Sequence, residues 1–363
     1  MSDSLRAYSA IKAKVCQVLS GEEPARQANL SLMITGIVRS RSVQQRKVAG
    51  EVPFAAQATS LMQRQRRFLM NEHVDAGAYY HPFIAPFVQA RSRMALPLII
   101  DSSAAGRYCQ MLMVSIGYRR RALPLTWKVR RGQKGNFKAG DHQEVLDRAA
   151  EFLPAEALVV LVGDGEFGYP ARAEDARQRG WEFVLRASED DVIWIEGEPF
   201  SLREFSVGPG ESLWLEDALW THQRWGPVNV LVTWNEREKA PMYLVSSFPL
   251  PEETSYWYRR RPWIETLFRD DKSMGFHLHL SRLRHPERMA RLLLAVALAY
   301  LWMMYLGTLA VLGGLQRLVD RSDRRDCSFF TIGCEWLRRL LKLDKHIPVG
   351  FCPYPYLCSP TGV

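Results

Sequence analysis

Between Leu292 and Gln316 the chain carries no charged residue (LLLAVALAYLWMMYLGTLAVLGGLQ). A segment that long and that apolar has two homes: a bilayer, or a core thick enough to cover a helix on every side. Gly307, Gly313 and Gly314 interrupt the run, and a dense basic segment leads into it. Both features favour a buried core helix, broken near Gly307, over a membrane span. A chain of 363 residues is long enough for such a core and for two or three domains.

Upstream the pattern is one of strands. Leu96-Pro97-Leu98-Ile99-Ile100 is a short apolar run ending in Asp101. Met111 to Tyr118 and Leu123 to Val129 are rich in β-forming residues, with turn-like or basic residues between, so the three runs read as a meander. Asp141 to Phe152 has helical spacing. Ala157 to Val162 is continuously apolar, as a strand buried on both faces is, and it ends in Gly163-Asp164. A helix over 170–179 and a strand over 181–186 follow. Three strands, helix, strand, helix, strand is the order of a ribonuclease H-like α/β core, in which the fourth strand lies beside the first. That order puts Asp101 and Asp164 at neighbouring strand ends, where chemistry gathers in open α/β sheets.

The flanks differ in character. Residues 1–90 read as helices with several arginines, Arg64, Arg66 and Arg67 among them, and such a domain can place a helix on DNA. Residues 189–255 hold Trp194, Trp214, Trp220, Trp225 and Trp234 with little helical period, and read as a β-rich insertion. The expected organisation is therefore an N-terminal helical DNA-binding domain (1–90), the first part of the core (91–188), the insertion (189–255), the second part of the core with its helix from about Pro262 (256–315), and a helical C-terminal tail (316–363).

Charge follows the same divisions. Residues 1–93 carry 13 Lys/Arg against 6 Asp/Glu, and residues 256–325 again carry 13 against 6, whereas residues 189–255 carry 4 against 13. A polyanion such as DNA would be drawn to the two basic segments and not to the acidic one between them. The N-terminus has no apolar core of a secretory signal, and the six cysteines form no C-x-x-C pair, so the expectation is a reduced cytoplasmic chain with free thiols. The spacing of Cys327, Cys334, Cys352 and Cys358 is not that of a zinc ribbon or finger. The H-x-H of His277 and His279 reads as structural.

Two divalent ions need carboxylates to bind and bridge them, and magnesium prefers oxygen ligands. Asp101 and Asp164 supply two. The third comes from Tyr258-Arg259-Arg260-Arg261-Pro262-Trp263-Ile264-Glu265, which runs on to Lys272. On a continuous helix Tyr258, Arg261, Glu265 and Lys272 would lie on one face. A single acid among cations suits a metal ligand flanked by phosphate grips, bidentate for arginine and a point charge for lysine. Pro262 belongs in a first helical turn, so Tyr258 and Arg261 are expected on the lead-in to that helix.

This Tyr-x2-Arg-x3-Glu-x6-Lys pattern resembles the YREK signature of the insertion-sequence-four group of DDE transposases. LPLIIDSS at 96–103, GDGEF at 163–167, GWEFVLRAS at 180–188 and the stretch after Glu265 are similar to that group too, over about 28–340. Two departures are visible: Asp164 is followed by Gly165-Glu166-Phe167 where Arg-Gly-Phe is usual, and Pro262 stands where Trp is expected. The resemblance implies catalysis by Asp101, Asp164 and Glu265 holding two magnesium ions (Mg2+), with manganese (Mn2+) as a substitute. It implies cut-and-paste transposition: one strand is hydrolysed at a transposon end, and the freed 3′-hydroxyl attacks the other strand to give a hairpin. The end is then reopened and joined to target DNA. It further implies DNA contacts by Tyr258, Arg261 and Lys272, a Trp of the insertion stacking on a flipped base, terminal inverted repeats as substrate, and a homodimer in the synaptic complex. Arg186, after the last core strand, and Arg121, from the Arg119-Arg120-Arg121 run, are further DNA-contact candidates. The expected location is the bacterial cytoplasm, at the nucleoid, with no membrane partner. The competing reading is a transposase-derived DNA-binding protein that no longer cuts.

Overall fold

The computed structural model describes residues 2–132, 137–321 and 323–354. Cys358 therefore lies outside the described residues, as does the end of the expected C-terminal tail. Five helices open the chain: α1 (Asp3–Val18), α2 (Pro24–Ser40), α3 (Gln45–Gly50), α4 (Ala58–Met70) and α5 (Ala76–Gln89). Their starts follow local rules. The Ser2 hydroxyl accepts from the Leu5 N–H at 3.3 Å, Pro24 opens α2, and Asp75 accepts from the Ala78 N–H at 2.7 Å.

The alternating part of the chain comes next: β1 (Leu96–Ala105), β2 (Cys109–Tyr118), β3 (Arg121–Arg131), α6 (Ala139–Phe152), β4 (Val159–Gly163), α7 (Pro170–Gln178) and β5 (Glu182–Ala187). In the sheet these strands lie in the order β3-β2-β1-β4-β5. The first three are antiparallel neighbours; β4 is parallel to β1, and β5 to β4. Nearly every residue of β1 and β2 is buried, so helices cover both faces. Register fixes the site. Leu96 is opposite Val159 and Ile100 opposite Gly163, so Asp101 and Asp164 come next in step on adjacent strands. One expectation is corrected here: β1 does not end at Asp101 but runs on to Ala105, paired beyond that point only with β2.

Residues 189–255 extend this sheet. They supply β6 (Val192–Ile195), β7 (Glu198–Ser201), β8 (Ser212–Trp220), β9 (Trp225–Thr233) and β10 (Met242–Ser246), and the sheet continues β5-β10-β9-β8-β6-β7 to ten strands. The junction is antiparallel, with Val245 opposite Leu185.

Helices α8 (Pro251–Tyr258), α9 (Trp263–Arg269), α10 (Pro286–Leu312) and α11 (Phe329–Lys342) complete the chain. Among the described residues α10 alone is long and apolar enough to cross a membrane, yet 89% of its apolar window is buried inside the protein. It packs against α2, α4, α5, β3 and α11, so the uncharged run is the central core helix. The buried Arg291 ties it to the N-terminal helices by donating to the carbonyls of Val74 (2.9 Å) and Leu69 (3.1 Å). The expected break near Gly307 is absent, because that glycine serves a different need. A Cβ on Gly307 would lie 1.8 Å from the carbonyl oxygen of Phe329, and one on Gly333 would lie 1.9 Å from that of Met303. The two glycines let α10 and α11 cross backbone to backbone.

Candidate active site

Asp101 sits mid-strand and is buried, and Asp164 follows β4 in the turn that leads to α7. A buried carboxylate is costly unless it is hydrogen-bonded or paired. Here the Ser102 N–H donates to Asp101 Oδ1 at 2.7 Å, and the Glu166 N–H donates to Asp164 Oδ1 at 3.1 Å. The remaining oxygens face Arg261. Arg261 Nη2 lies 3.3 Å from Asp101 Oδ2 and is bonded to Asp164 Oδ2, while its Nη1 is bonded to Glu265 Oε1. All three acids singled out in the sequence therefore converge on a single guanidinium.

Local structure explains the convergence. The four signature residues do not share one continuous helix, and Tyr258 and Arg261 precede α9. Tyr258 ends α8, Arg261 lies in the turn before Pro262, Glu265 is in the first turn of α9, and Lys272 falls in a π-helical turn over Asp270–Met274. Pro262 caps α9, in keeping with its lack of an N–H. Arg261 and Glu265 still face each other across the start of α9. Lys272 reaches back to β1, where its ammonium donates to the Ser103 hydroxyl.

The side chain of Tyr258 is buried with Trp257, Phe248, Val160 and Val184, and burial pushes its phenol above the usual range. Arg186, Arg261, Asp164 and Asp101 all act on it electrostatically, so Arg186, exposed near the end of β5, belongs to the same neighbourhood. Arg121 is placed elsewhere. Its Nη1 is 2.9 Å from Oδ2 of the buried Asp270, and the arginine side chain is itself mostly covered. Burial raises the Asp270 carboxyl to about 6 despite that partner, and pushes the neighbouring Asp271 well above its ordinary value. Of the five tryptophans of the insertion, Trp214 packs against the cluster that holds Tyr258. Trp220 is fully buried, and the Trp225 and Trp194 indoles donate to Glu174 Oε2 (2.9 Å) and the Thr221 carbonyl (3.0 Å).

The structure also brings in residues to which the sequence assigned no role. The Ser102 hydroxyl donates to Glu166 Oε2 at 2.6 Å, bracing the turn after β4 against β1. Glu166 Oε1 lies 3.9 Å from Nε2 of the buried His142, whose Nδ1 is 3.0 Å from the Tyr169 hydroxyl. Arg172 donates to that hydroxyl at 2.9 Å, so the phenol proton is free to point at Nδ1 and leave the histidine proton on Nε2, facing Glu166. Burial first, and Arg172 second, lower His142 to about 4, so the ring is neutral at neutral pH. Ser102 was legible only as the residue after Asp101; nothing in the local sequence marks His142.

Among the described residues no three His, Cys, Asp or Glu side chains already form a cluster of metal-binding geometry. That includes His277, whose Nδ1 is 2.8 Å from the Arg41 carbonyl oxygen, and the C-terminal cysteines that are described, which are free. At the three acids a guanidinium lies between the carboxylates. The donor chemistry nevertheless suits a hard divalent cation: three carboxylates from three elements already gather around one positive charge. Asp101, Asp164 and Glu265 are the residues here that could hold such an ion.

Residues 92–302 match a family model described as a transposase DDE domain. No curated protein matches the chain significantly in sequence. Among solved structures the chain is similar to a piggyBac transposase synaptic complex with hairpin DNA, solved by cryo-EM. The identity is 11% and the TM-score 0.45, over 93% of this chain and 77% of that one.

Proposed function

Because the chain belongs to the transposase DDE domain family, we propose that it is a metal-dependent DNA transposase of the insertion-sequence-four group, built on a ribonuclease H-like core. It cleaves its element's ends and joins them to target DNA. The observation that carries this reading is the meeting of Asp101, Asp164 and Glu265 on one guanidinium, from β1, the turn after β4, and α9. Divalent ions bound by these acids would supply charge stabilisation at the attacking and leaving oxygens of the phosphodiester. The chain's own residues do the rest. Arg261, released from the acids, grips a phosphate next to the scissile one. Lys272 holds a neighbouring phosphate from its place above Ser103. Tyr258 and Arg186 line the approach, and Trp214, the indole packed beside Tyr258, offers a flat surface to an unstacked base. Ser102 and Glu166 keep the two aspartates in step. Terminal inverted repeats, a hairpin intermediate, a homodimer holding two ends, and action at the bacterial nucleoid complete the proposal.

The test uses purified protein and duplex DNA carrying the inverted repeats that flank the gene, with and without Mg2+ or Mn2+. Asp101→Ala, Asp164→Ala and Glu265→Ala should each lower cleavage by about 10³-fold or more while leaving binding of the same DNA intact. Cleavage that persists in all three variants, or without divalent metal, overturns the assignment. A wild-type protein that binds these ends but cuts under no condition is instead a non-cleaving DNA-binding relative.

A further inference from the structure

The two basic segments, separated in the chain by residues 94–255, meet at one place. A groove of about 710 Å³ lies between the N-terminal helices and the start of α10, and Arg46, Arg66, Arg282 and Arg288 line it. No aspartate or glutamate is among its lining residues, and among the described residues none of these four arginines pairs with a carboxylate. Three of them are exposed and Arg288 is half-buried. By contrast, Arg26, Arg39 and Arg179 each pair with a carboxylate. Four unneutralised guanidinium groups around one concave floor repel one another and are stabilised by a polyanion.

The groove connects to the acids through β1. The Arg107 N–H donates to the carbonyl of Ser281, a groove residue, at 2.9 Å, so the turn after β1 abuts the groove. Arg107 and Arg284 lie over the Tyr108 ring, at 5.7 and 4.7 Å from its centroid, which continues the basic surface. From Asp101 to Ala105 the strand rises about 13 Å, the length of roughly four base-pair steps of duplex DNA. Lys272, bonded to Ser103, stands between the two ends of that path.

We infer that this groove is a second DNA-binding site, which seats the phosphate backbone of the duplex a few base pairs from the cleavage point, with Arg46, Arg66, Arg282 and Arg288 as its contacts. The inference rests on the transposase reading for the identity of the polyanion. It assigns a role to residues outside the YREK pattern, and it joins the N-terminal helices to the catalytic unit through the substrate.

The experiment measures binding of full-length protein to a fluorescein-labelled duplex of about 30 base pairs, roughly three turns. Anisotropy is followed between roughly 50 and 200 mM KCl, where each neutralised phosphate contributes about −0.9 to the slope of log K against log salt. The variants are Arg46→Gln, Arg66→Gln, Arg282→Gln and Arg288→Gln combined, and the same four positions changed to Lys. Thermal melts confirm that both sets fold. The Gln set should bind at least about tenfold more weakly, with a slope shallower by about 3 to 4. The Lys set should restore most of the slope, because a point charge suffices for counterion release. A Gln set that keeps the wild-type slope while wild-type protein still cleaves its ends overturns the groove assignment and leaves the transposase reading standing. The same holds if the Lys set behaves like the Gln set. Wild-type protein that neither binds duplex nor cleaves removes both.

Discussion

Replacing Arg261 with alanine isolates what the guanidinium does in the metal-free protein. Its side chain is 15% exposed, and its three partners Asp101, Asp164 and Glu265 are 5%, 22% and 55% exposed. Two carboxylate oxygens bonded to a single nitrogen lie within about 6 Å of each other. At that separation, with an effective dielectric constant near 20, a like-charge pair repels by about 3 kcal/mol; full hydration at the exposed Glu265 reduces its share to about 1 kcal/mol. Part of the repulsion is relieved when one aspartate takes up a proton, so the net loss expected for Arg261→Ala in EDTA is about 2–4 kcal/mol. In a chain of this size each kcal/mol moves the melting temperature by about 2 °C, giving a fall of about 4–8 °C. Added Mg2+ should then act differently on the two proteins. In the variant it meets three carboxylates that no guanidinium occupies, and at a concentration 100-fold above its Kd it restores about 2.7 kcal/mol. In the wild type it must first displace the guanidinium, so its stabilisation without DNA is smaller. Differential scanning fluorimetry in EDTA and across a Mg2+ titration reads both effects. Equal melting temperatures in EDTA, or a larger Mg2+ shift in the wild type than in the variant, would refute the idea that Arg261 stands in for the missing positive charge.

Two further outcomes follow from the geometry. Gly307→Val or Gly333→Val forces a side chain into a backbone carbonyl of the opposing helix, since even a Cβ would lie within 1.8 or 1.9 Å of one. Each should cost about 3 kcal/mol or more, seen as a lower urea midpoint, and an unchanged midpoint would show that α10 and α11 do not cross in this way. The raised Asp270 carboxyl makes stability depend on pH with a defined sign. Its folded value of about 6 exceeds its unfolded value, so its contribution is fully present below about pH 4 and is lost as pH rises through 6, by about 2–3 kcal/mol. Asp271 acts in the same direction, whereas His142, lowered to about 4, contributes stability that is lost as pH falls below its unfolded value. The wild-type profile thus sums opposing contributions, and the informative quantity is a difference. Stability of wild type minus that of Asp270→Asn, measured by urea unfolding, should increase as pH drops from 7 to 4; a difference independent of pH would count against a buried, partly neutral Asp270.

What could be read in the sequence is what short-range pattern controls. Apolar runs located β1 to β5, and the parallel crossover through α6 that sets β4 beside β1 was implied by their order. The i, i+4 spacing of Arg261 and Glu265 made their contact foreseeable. That both aspartates share the same guanidinium was not foreseeable, because it depends on a register between strands some sixty residues apart, and a slip of one residue would turn one acid to the opposite face. The same limit explains the misreading of Gly307. A glycine in an apolar helix looks like a break until the partner helix is known, and Gly333, which makes the crossing possible, lies beyond the uncharged run. It also explains Arg121, which carries no mark of its inward turn toward Asp270. The cation that spaces the three acids belongs to the same short segment as Glu265, so anything that draws Arg261 outward, a phosphate above all, opens the carboxylates together rather than singly. On the function proposed above, DNA arrival and metal binding would be coupled through this one side chain, the acids becoming available when a substrate phosphate occupies the guanidinium.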